Sequence, residues 1–144
     1  MQLTMFSDLS LRVIMYLAAG EPGRKYTAGE IAETFGASKA HVAKVVTRLS
    51  SMGLVSSTKG RGGGIVLAEG AERESVGALL REIEHGEVVD CSSCVLSPDC
   101  LLRGHLARAQ EAFFATLDPV TIRDVAGPSG QAVPLGIKSV SGMR

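Results

Sequence analysis

The run Lys59-Gly-Arg-Gly-Gly-Gly64, set between Leu54-Val55-Ser56-Ser57-Thr58 and Ile65-Val66-Leu67, constrains this chain more than any other segment. Glycines and basic residues between two β-prone stretches predict a hairpin with a cationic tip. What precedes it gives the hairpin its setting. Phe6, Leu9, Val13, Tyr16 and Leu17 recur at helical spacing, so residues 5–19 read as an amphipathic helix ending at Gly20. Thr27 and Glu30 have the spacing of a capping box, opening a short helix over 28–35 with Ile31 and Phe35 inward. Gly36-Ala37 turns the chain, and Ser38 is placed to cap a third helix. That helix buries Val42, Val45, Val46, Leu49 and Met52 and stops at Gly53, a residue suited to the left-handed position after a helix end. Helix, helix, tight turn, helix and hairpin is the order of a winged helix-turn-helix; the alternative is a small α+β core with a basic loop.

Beyond the hairpin, Ser75 caps a predicted helix running to about His85, with Val76, Leu79, Leu80 and Ile83 apolar. A loop from Gly86 to Cys100 follows. A long helix is then expected over Leu101 to Leu117, where Leu102, Leu106, Ala109 and Phe113 make a narrow stripe at intervals of four, three and four. So thin a stripe on so long a helix resembles a coiled-coil seam and points to a dimer. Asp118-Pro119 is expected to cap and start one more short helix, since proline at the first helical position loses no needed amide. The expected architecture is mostly α with a small β-hairpin, in three parts: a winged helix-turn-helix over 1–70, a cysteine loop and dimerisation helix over 71–126, and a loosely held Gly-, Ser- and Pro-rich tail over 127–144.

Length and charge narrow the class. At 144 residues and 45% apolar content the chain can fill one core without help from disulfides or metal. Its net charge is zero, but residues 1–66 hold eight basic side chains against four acidic, and the remainder seven against eleven. Such asymmetry matters for partners, because a polyanion meets one face of a protein and not its average. The longest apolar run, Val13 to Ala19, is far below the ~20 residues needed to span a bilayer. No cationic stretch precedes the first apolar segment, so no signal peptide is expected, and the chain reads as a cytoplasmic protein with no membrane partner. No nucleophile–base pair, phosphate loop or paired carboxylates stand out, and an enzyme is not expected.

The third helix carries Lys39, His41, Lys44 and Arg48 opposite its apolar stripe. A recognition helix needs this: cationic donors for phosphates, with residues near its start, here Ser38, Lys39 and His41, free to reach base edges. Lys44 and Arg48 are better placed for phosphates. On the hairpin, Lys59 and Arg61 stand among glycines. An arginine entering a minor groove only ~6 Å wide needs such slender neighbours.

Cys91, Cys94 and Cys100 spell C-x₂-C-x₅-C, and no other cysteine occurs in the chain. Three is odd, and the expected compartment is reducing, so disulfides fit badly; no βαβ pattern surrounds the C-x-x-C for a thioredoxin-type site. Metal remains. Three thiolates on one loop suit tetrahedral zinc or an iron–sulfur cluster, and either needs a fourth ligand, for which His105, His85, Asp90, Asp99 or a residue from elsewhere are candidates.

Taken together, several stretches resemble the winged-helix iron–sulfur transcriptional regulators of the NsrR and IscR type. They are Met1-Gln-Leu-Thr with Phe6-Ser-Asp8-Leu and Leu11-Arg12, the hairpin Lys59 to Ala68, Leu80-Arg-Glu-Ile-Glu84, Val88-Val-Asp-Cys91, and Pro98-x-Cys100. The helix Ala107-Arg-Ala-Gln-Glu-Ala-Phe113 with Leu117-Asp-Pro119 is similar to the nitric-oxide-sensing repressors among them. The resemblance implies a homodimer on palindromic operator DNA with one cluster per subunit on the three cysteines, most simply 4Fe-4S. It implies as fourth ligand an aspartate near the N-terminus of the partner subunit, which maps onto Asp8. Other members use a histidine three residues after the last cysteine, where this chain has Arg103. The family usually spaces its first two cysteines by four or more residues. Only Ser92 and Ser93 intervene here, which keeps 2Fe-2S and zinc open.

A carboxylate is a hard ligand on a soft centre, so the Asp8 bond is expected to be the weakest of the four. Nitric oxide attacking there would free Asp8 to pair with Arg12, four residues on, with Glu84 as a competitor for Arg12. The first helix would then shift and the two recognition helices lose the spacing that the operator demands. The rivals are a winged-helix regulator sensing iron–sulfur or redox status, a winged-helix repressor with structural zinc, and a small electron carrier, for which the wing has no use.

Overall fold

The computed structural model describes residues 2–97 and 99–127. Of the tail predicted over 127–144, residues 128–144 lie outside them. The chain forms α1 (Met5–Ala19), α2 (Ala28–Phe35), α3 (Lys39–Ser51), β1 (Val55–Thr58), β2 (Gly64–Leu67), a single 3₁₀ turn at Ala71–Arg73, α4 (Val76–Ile83), α5 (Leu101–Leu117) and α6 (Ile122–Ala126). The winged helix-turn-helix order expected from the sequence is present. No described helix is long and apolar enough to cross a membrane.

Local signals account for most boundaries. The hydroxyls of Thr4, Thr27, Ser38 and Ser75 each accept a hydrogen bond from the backbone N–H three residues on, satisfying one orphan donor per helix. Helix α3 ends in a Schellman arrangement: Leu54 N donates to Leu49 O (3.0 Å) and Gly53 N to Ser50 O (3.0 Å), with Gly53 at φ 75°. Val42, Val45 and Leu49 on this helix are fully buried and Val46 nearly so. Each contributes about 1.5–3 kcal/mol relative to exposure, which fixes the face α3 turns to the core and hence the face it turns out.

The hairpin pairs antiparallel with Val55 opposite Leu67 and Thr58 opposite Gly64. Tyr26 adds a bridge on the other side of β2, exchanging bonds with Ile65 (3.0 and 2.7 Å). Its ring is buried, lies 4.9 Å from Tyr16, and has the Arg24 guanidinium 4.5 Å over its face. The wing therefore grows out of the α1–α2 connection as well as out of α3. A single cluster of buried side chains runs from Val13, Ile14 and Ile31 through Leu49 and Leu54 to Leu80, Ile83, Phe114 and Ile122, across the expected division at residue 70.

Three local expectations are corrected. Asp118-Pro119 does not start a helix: Asp118 is the last residue of α5's cap, held by Arg81, and the chain turns there. Helix α6 begins at Ile122, where Thr121 and Asp124 form the full reciprocal capping box. At α2 the box is only half made, because Glu30's carboxylate pairs with Arg24 (2.5 Å). Helix α4 stops at Ile83, short of His85.

Helix α5 is the outlier. Of its 17 residues only Phe114 is buried. It is fastened to α4 by Arg81, whose guanidinium reaches Glu111 (2.6 Å) and Asp118 (2.5 Å) and lies over the Phe114 ring. Those hydrogen bonds hold both carboxyls below their usual range. Leu117 is half-buried against the core as well, while Leu101 and Leu102 at the other end of the helix are exposed.

Candidate DNA-reading surface and cysteine loop

Apart from Arg108, the described lysines and arginines divide into two groups. Arg12, Arg24, Arg48, Arg73, Arg81, Arg103 and Arg123 each pair with a carboxylate. Lys25, Lys39, Lys44, Lys59 and Arg61 form no ion pair among the described residues, and all are exposed. These lie on α3, on the wing, or at the wing's root. A cation without a carboxylate keeps its full charge for an external anion; these five share one region of the fold, and among the described residues Arg108 on α5, beside His105, is the exception.

Lys39 and His41 sit in the first turn of α3, where Ser38 caps the His41 amide (3.1 Å), and Lys44 follows one turn on. Arg48, expected at the phosphates, has an intramolecular partner here. Its guanidinium donates to the carbonyl of Glu82 (2.6 Å) at the end of α4, with the Glu82 carboxylate 3.5 Å away, so in this conformation it ties the recognition helix to α4.

The wing tip is tightly built. Gly60 and Gly62 have φ of 93° and 74°, a region that side chains disfavour. At Gly63 a Cβ would come within 2.1 Å of the Thr58 carbonyl oxygen. The glycines are thus demanded by the turn itself, which presents Arg61 at its exposed point.

The cysteine loop joins α4 to α5. Cys91 and Cys100 are half-buried, Cys94 is exposed, and all three thiols are free. Cys94 N donates to Cys91 O (3.3 Å) and Ser97 N to Cys94 O (3.2 Å), so the C-x₂-C folds over a turn. Cys100 is the residue at the head of α5, with no side-chain capping bond. Asp90 accepts from Ser92 N (2.9 Å), which keeps its carboxyl low, and Arg103 pairs with Glu87, lowering that carboxyl too. Burial and the nearby Glu87 push the Cys91 thiol up. A cleft of about 550 Å³ lined by Glu87, Asp90, Cys91, Ser92 and Arg103 opens beside these groups. Among the described residues no three His, Cys, Asp or Glu side chains converge on one point. By donor type the residues fit a soft metal centre: three unoxidised sulfurs on ten residues of loop, none buried in the core. Holding one such centre requires the loop to draw its sulfurs together.

Asp8 and Arg12 pair along α1 at 2.9 Å, as their spacing predicts. Glu84 takes another partner than the one expected. Its carboxylate accepts from Thr4 N (3.2 Å) and Thr4 Oγ1 (3.1 Å), closing the N-terminus of α1. Negative charge is favoured there by the helix dipole and by the unpaired amides. The last turn of α4 therefore touches α1 through Glu84 and α3 through Glu82, just before the cysteine loop begins. Asp8 and Arg12 also share a cleft of about 630 Å³ with His41 and Lys44. His105, a candidate ligand from the sequence, has Nδ1 2.8 Å from the Arg108 guanidinium on its own helix.

A winged helix-turn-helix with its unpaired cations on α3 and the wing is the build of a DNA-binding regulator. The chain belongs to the Rrf2 family, described as iron-dependent transcriptional regulators, which its residues 3–128 match. Over 136 residues it is 48% identical to the HTH-type transcriptional repressor NsrR of Streptomyces coelicolor, covering 90% of this chain and 92% of that one. Among solved structures it is similar to Staphylococcus aureus CymR, with a TM-score of 0.66, 26% identity, and coverage of 85% and 96% of the two chains. The fold is also that of T. potens IscR, with a TM-score of 0.67, 21% identity, and coverage of 86% and 85%. These relatives are transcriptional regulators and not enzymes, in line with the sequence.

Proposed function

We propose that this chain is a cytoplasmic, homodimeric repressor that holds a palindromic operator while an iron–sulfur cluster is bound and releases it on exposure to nitric oxide. The ligands are Cys91, Cys94 and Cys100, with Asp8 of the partner subunit as the fourth. The reading is carried by three free thiols on one loop, leading directly into a helix whose apolar stripe is largely exposed among the described residues. The similarity of Ala107 to Phe113 and of Leu117-Asp-Pro119 to the nitric-oxide-sensing branch supplies the signal. A cluster of the four-iron type suits this ligand set; 2Fe-2S and zinc are the rivals that the short Cys91–Cys94 spacing keeps open.

When bound, the cluster supplies iron sites with high affinity for nitric oxide. The chain's own residues do the rest. A freed Asp8 carboxylate finds Arg12 at once on the same face of α1, the arrangement seen here. Glu84 and Glu82 connect the start of the cysteine loop to α1 and α3, so a displacement of α4's end reaches the recognition helix through two contacts. Two recognition helices must match half-sites about 34–36 Å apart, and a shift of an ångström or two in each is enough to spoil that match.

DNA contacts are assigned to Ser38, Lys39, His41 and Lys44 on α3 and to Lys59 and Arg61 on the wing, with Arg48 joining them if DNA draws it from Glu82. Arg61→Ala is expected to cost about 1–3 kcal/mol of binding, most at operators with A·T-rich flanks, measured by fluorescence anisotropy on flank variants. An equal loss on every flank would make Arg61 a phosphate contact. The switch is tested by titrating operator DNA with anaerobically purified protein before and after stoichiometric nitric oxide. Affinity is expected to fall at least about tenfold, a difference of 1.4 kcal/mol. Metal-free protein binding the operator as tightly as the loaded form would overturn the switch.

A further inference from the structure

Lys25 belongs to no helix or strand, yet its side chain is the only one from outside the hairpin described as bonding the wing tip. Its ammonium donates to the carbonyl of Gly62 (2.5 Å), the residue after Arg61, across 37 positions of sequence. The next residue, Tyr26, is buried and doubly hydrogen-bonded to Ile65, so the backbone carrying Lys25 is fixed to β2 close to the tip. The stem then passes over Gly64, where a Cβ would stand 2.8 Å from the Lys25 Cβ; the missing side chain leaves its path open. Apart from this contact, the tip from Lys59 to Gly63 is held by its β1–β2 pairing and the single bond from Gly63 N to Gly60 O (3.1 Å).

We propose that Lys25 is a positioning residue for DNA reading: it clamps the wing tip so that Arg61 is held out in one orientation. The proposal rests on the reading of Arg61 as the wing's groove contact. A glycine-rich tip without the clamp samples many conformations, and each copy of Arg61 must then be ordered at the moment of binding.

The test is a double-mutant cycle in the full-length, anaerobically purified protein, using Lys25→Met and Arg61→Ala on an operator with A·T-rich flanks over a series of salt concentrations. Lys25→Met is expected to weaken binding about three- to tenfold, the worth of one hydrogen bond. It should leave the slope of log affinity against log salt unchanged and cost nothing further once Arg61 is alanine. Lys25→Arg, which can keep the bond, should bind within about twofold of the parent. Without DNA, amide hydrogen exchange at residues 60–64 should quicken in Lys25→Met and not in Lys25→Arg. A loss that persists in the Arg61→Ala background with a salt slope lower by about 1 would make Lys25 a phosphate contact and overturn the proposal. So would unchanged affinity in Lys25→Met beside a clear loss in Arg61→Ala. No loss in Arg61→Ala itself would remove the groove-contact reading, and the clamp's purpose with it.

Discussion

Serine in place of Cys91, Cys94 or Cys100 is expected to reduce bound iron to background while leaving a folded protein. A serine hydroxyl has the shape of the thiol but stays protonated near neutral pH and is a hard donor, so it does not replace a thiolate on a soft metal. The fold survives because the loop contributes nothing to the buried cluster of side chains: Cys94 is exposed, and Val95 and Leu96 beside it are 94% and 68% exposed. The midpoint of thermal unfolding of the metal-free variants should match that of metal-free parent, and their operator binding should no longer respond to nitric oxide. Asp8→Ala should behave differently. It spares all three sulfurs, so iron should be present after anaerobic purification but lost several-fold faster on exposure to chelator or nitric oxide. An unchanged rate of loss would remove Asp8 from the ligand set, and a cysteine variant with full iron would remove that cysteine.

Phe113→Asp is expected to yield a monomer with operator affinity lower by about a hundredfold or more. Helix α5 extends about 25 Å, and along it Leu102 is 61% exposed and Phe113 39%, with Leu106 half-buried and Ala109 exposed. Apolar surface of this extent on a helix packed on the core through Phe114 and Leu117 leaves a face for a second copy. A charge within such a seam must be desolvated without a partner, which outweighs the burial it interrupts. The DNA effect exceeds the loss of one contact, because binding of the second half-site ceases to be intramolecular once the subunits part. Since Phe113 faces out beside the buried Phe114, its ring 5.6 Å away, the monomer itself should remain folded. Light scattering gives the mass and anisotropy the affinity. A variant that stays dimeric would move the interface off this stripe.

The elements that the sequence announced are those set by neighbours a few residues apart. The hydroxyl caps at Thr27, Ser38 and Ser75, the stop at Gly53 and the span Leu101–Leu117 all follow from such short-range chemistry. Misplaced features involve groups far apart in sequence. Asp118 reads as a helix start until Arg81 of α4 is seen to hold it, leaving Thr121 and Asp124 to open α6. Glu84 and Thr4, eighty positions apart, carry no local signal of their contact, and the same holds for Arg48 with Glu82. Tyr26 escaped notice as a sheet residue because one bridged residue has no periodicity. Ser7 and Ser10 are fully buried although the stripe of α1 passes them by; Ser10 Oγ donates back to Phe6 O (2.7 Å), and the Ser7 hydroxyl lies 3.0 Å from Thr4 Oγ1, so each has a hydrogen-bond partner. For the site, residue types and their order were legible, while the distances that would gather three sulfurs depend on a loop with few contacts to the core.

The account stands on the identity of what the cysteines hold, and one assay reads it directly: iron and acid-labile sulfide per chain in anaerobically purified protein, on the same sample that is shown to bind operator. The account predicts both in near-equal amounts, with broad visible absorption that nitric oxide bleaches. Colourless protein containing zinc, or no metal, that binds the operator fully would contradict it.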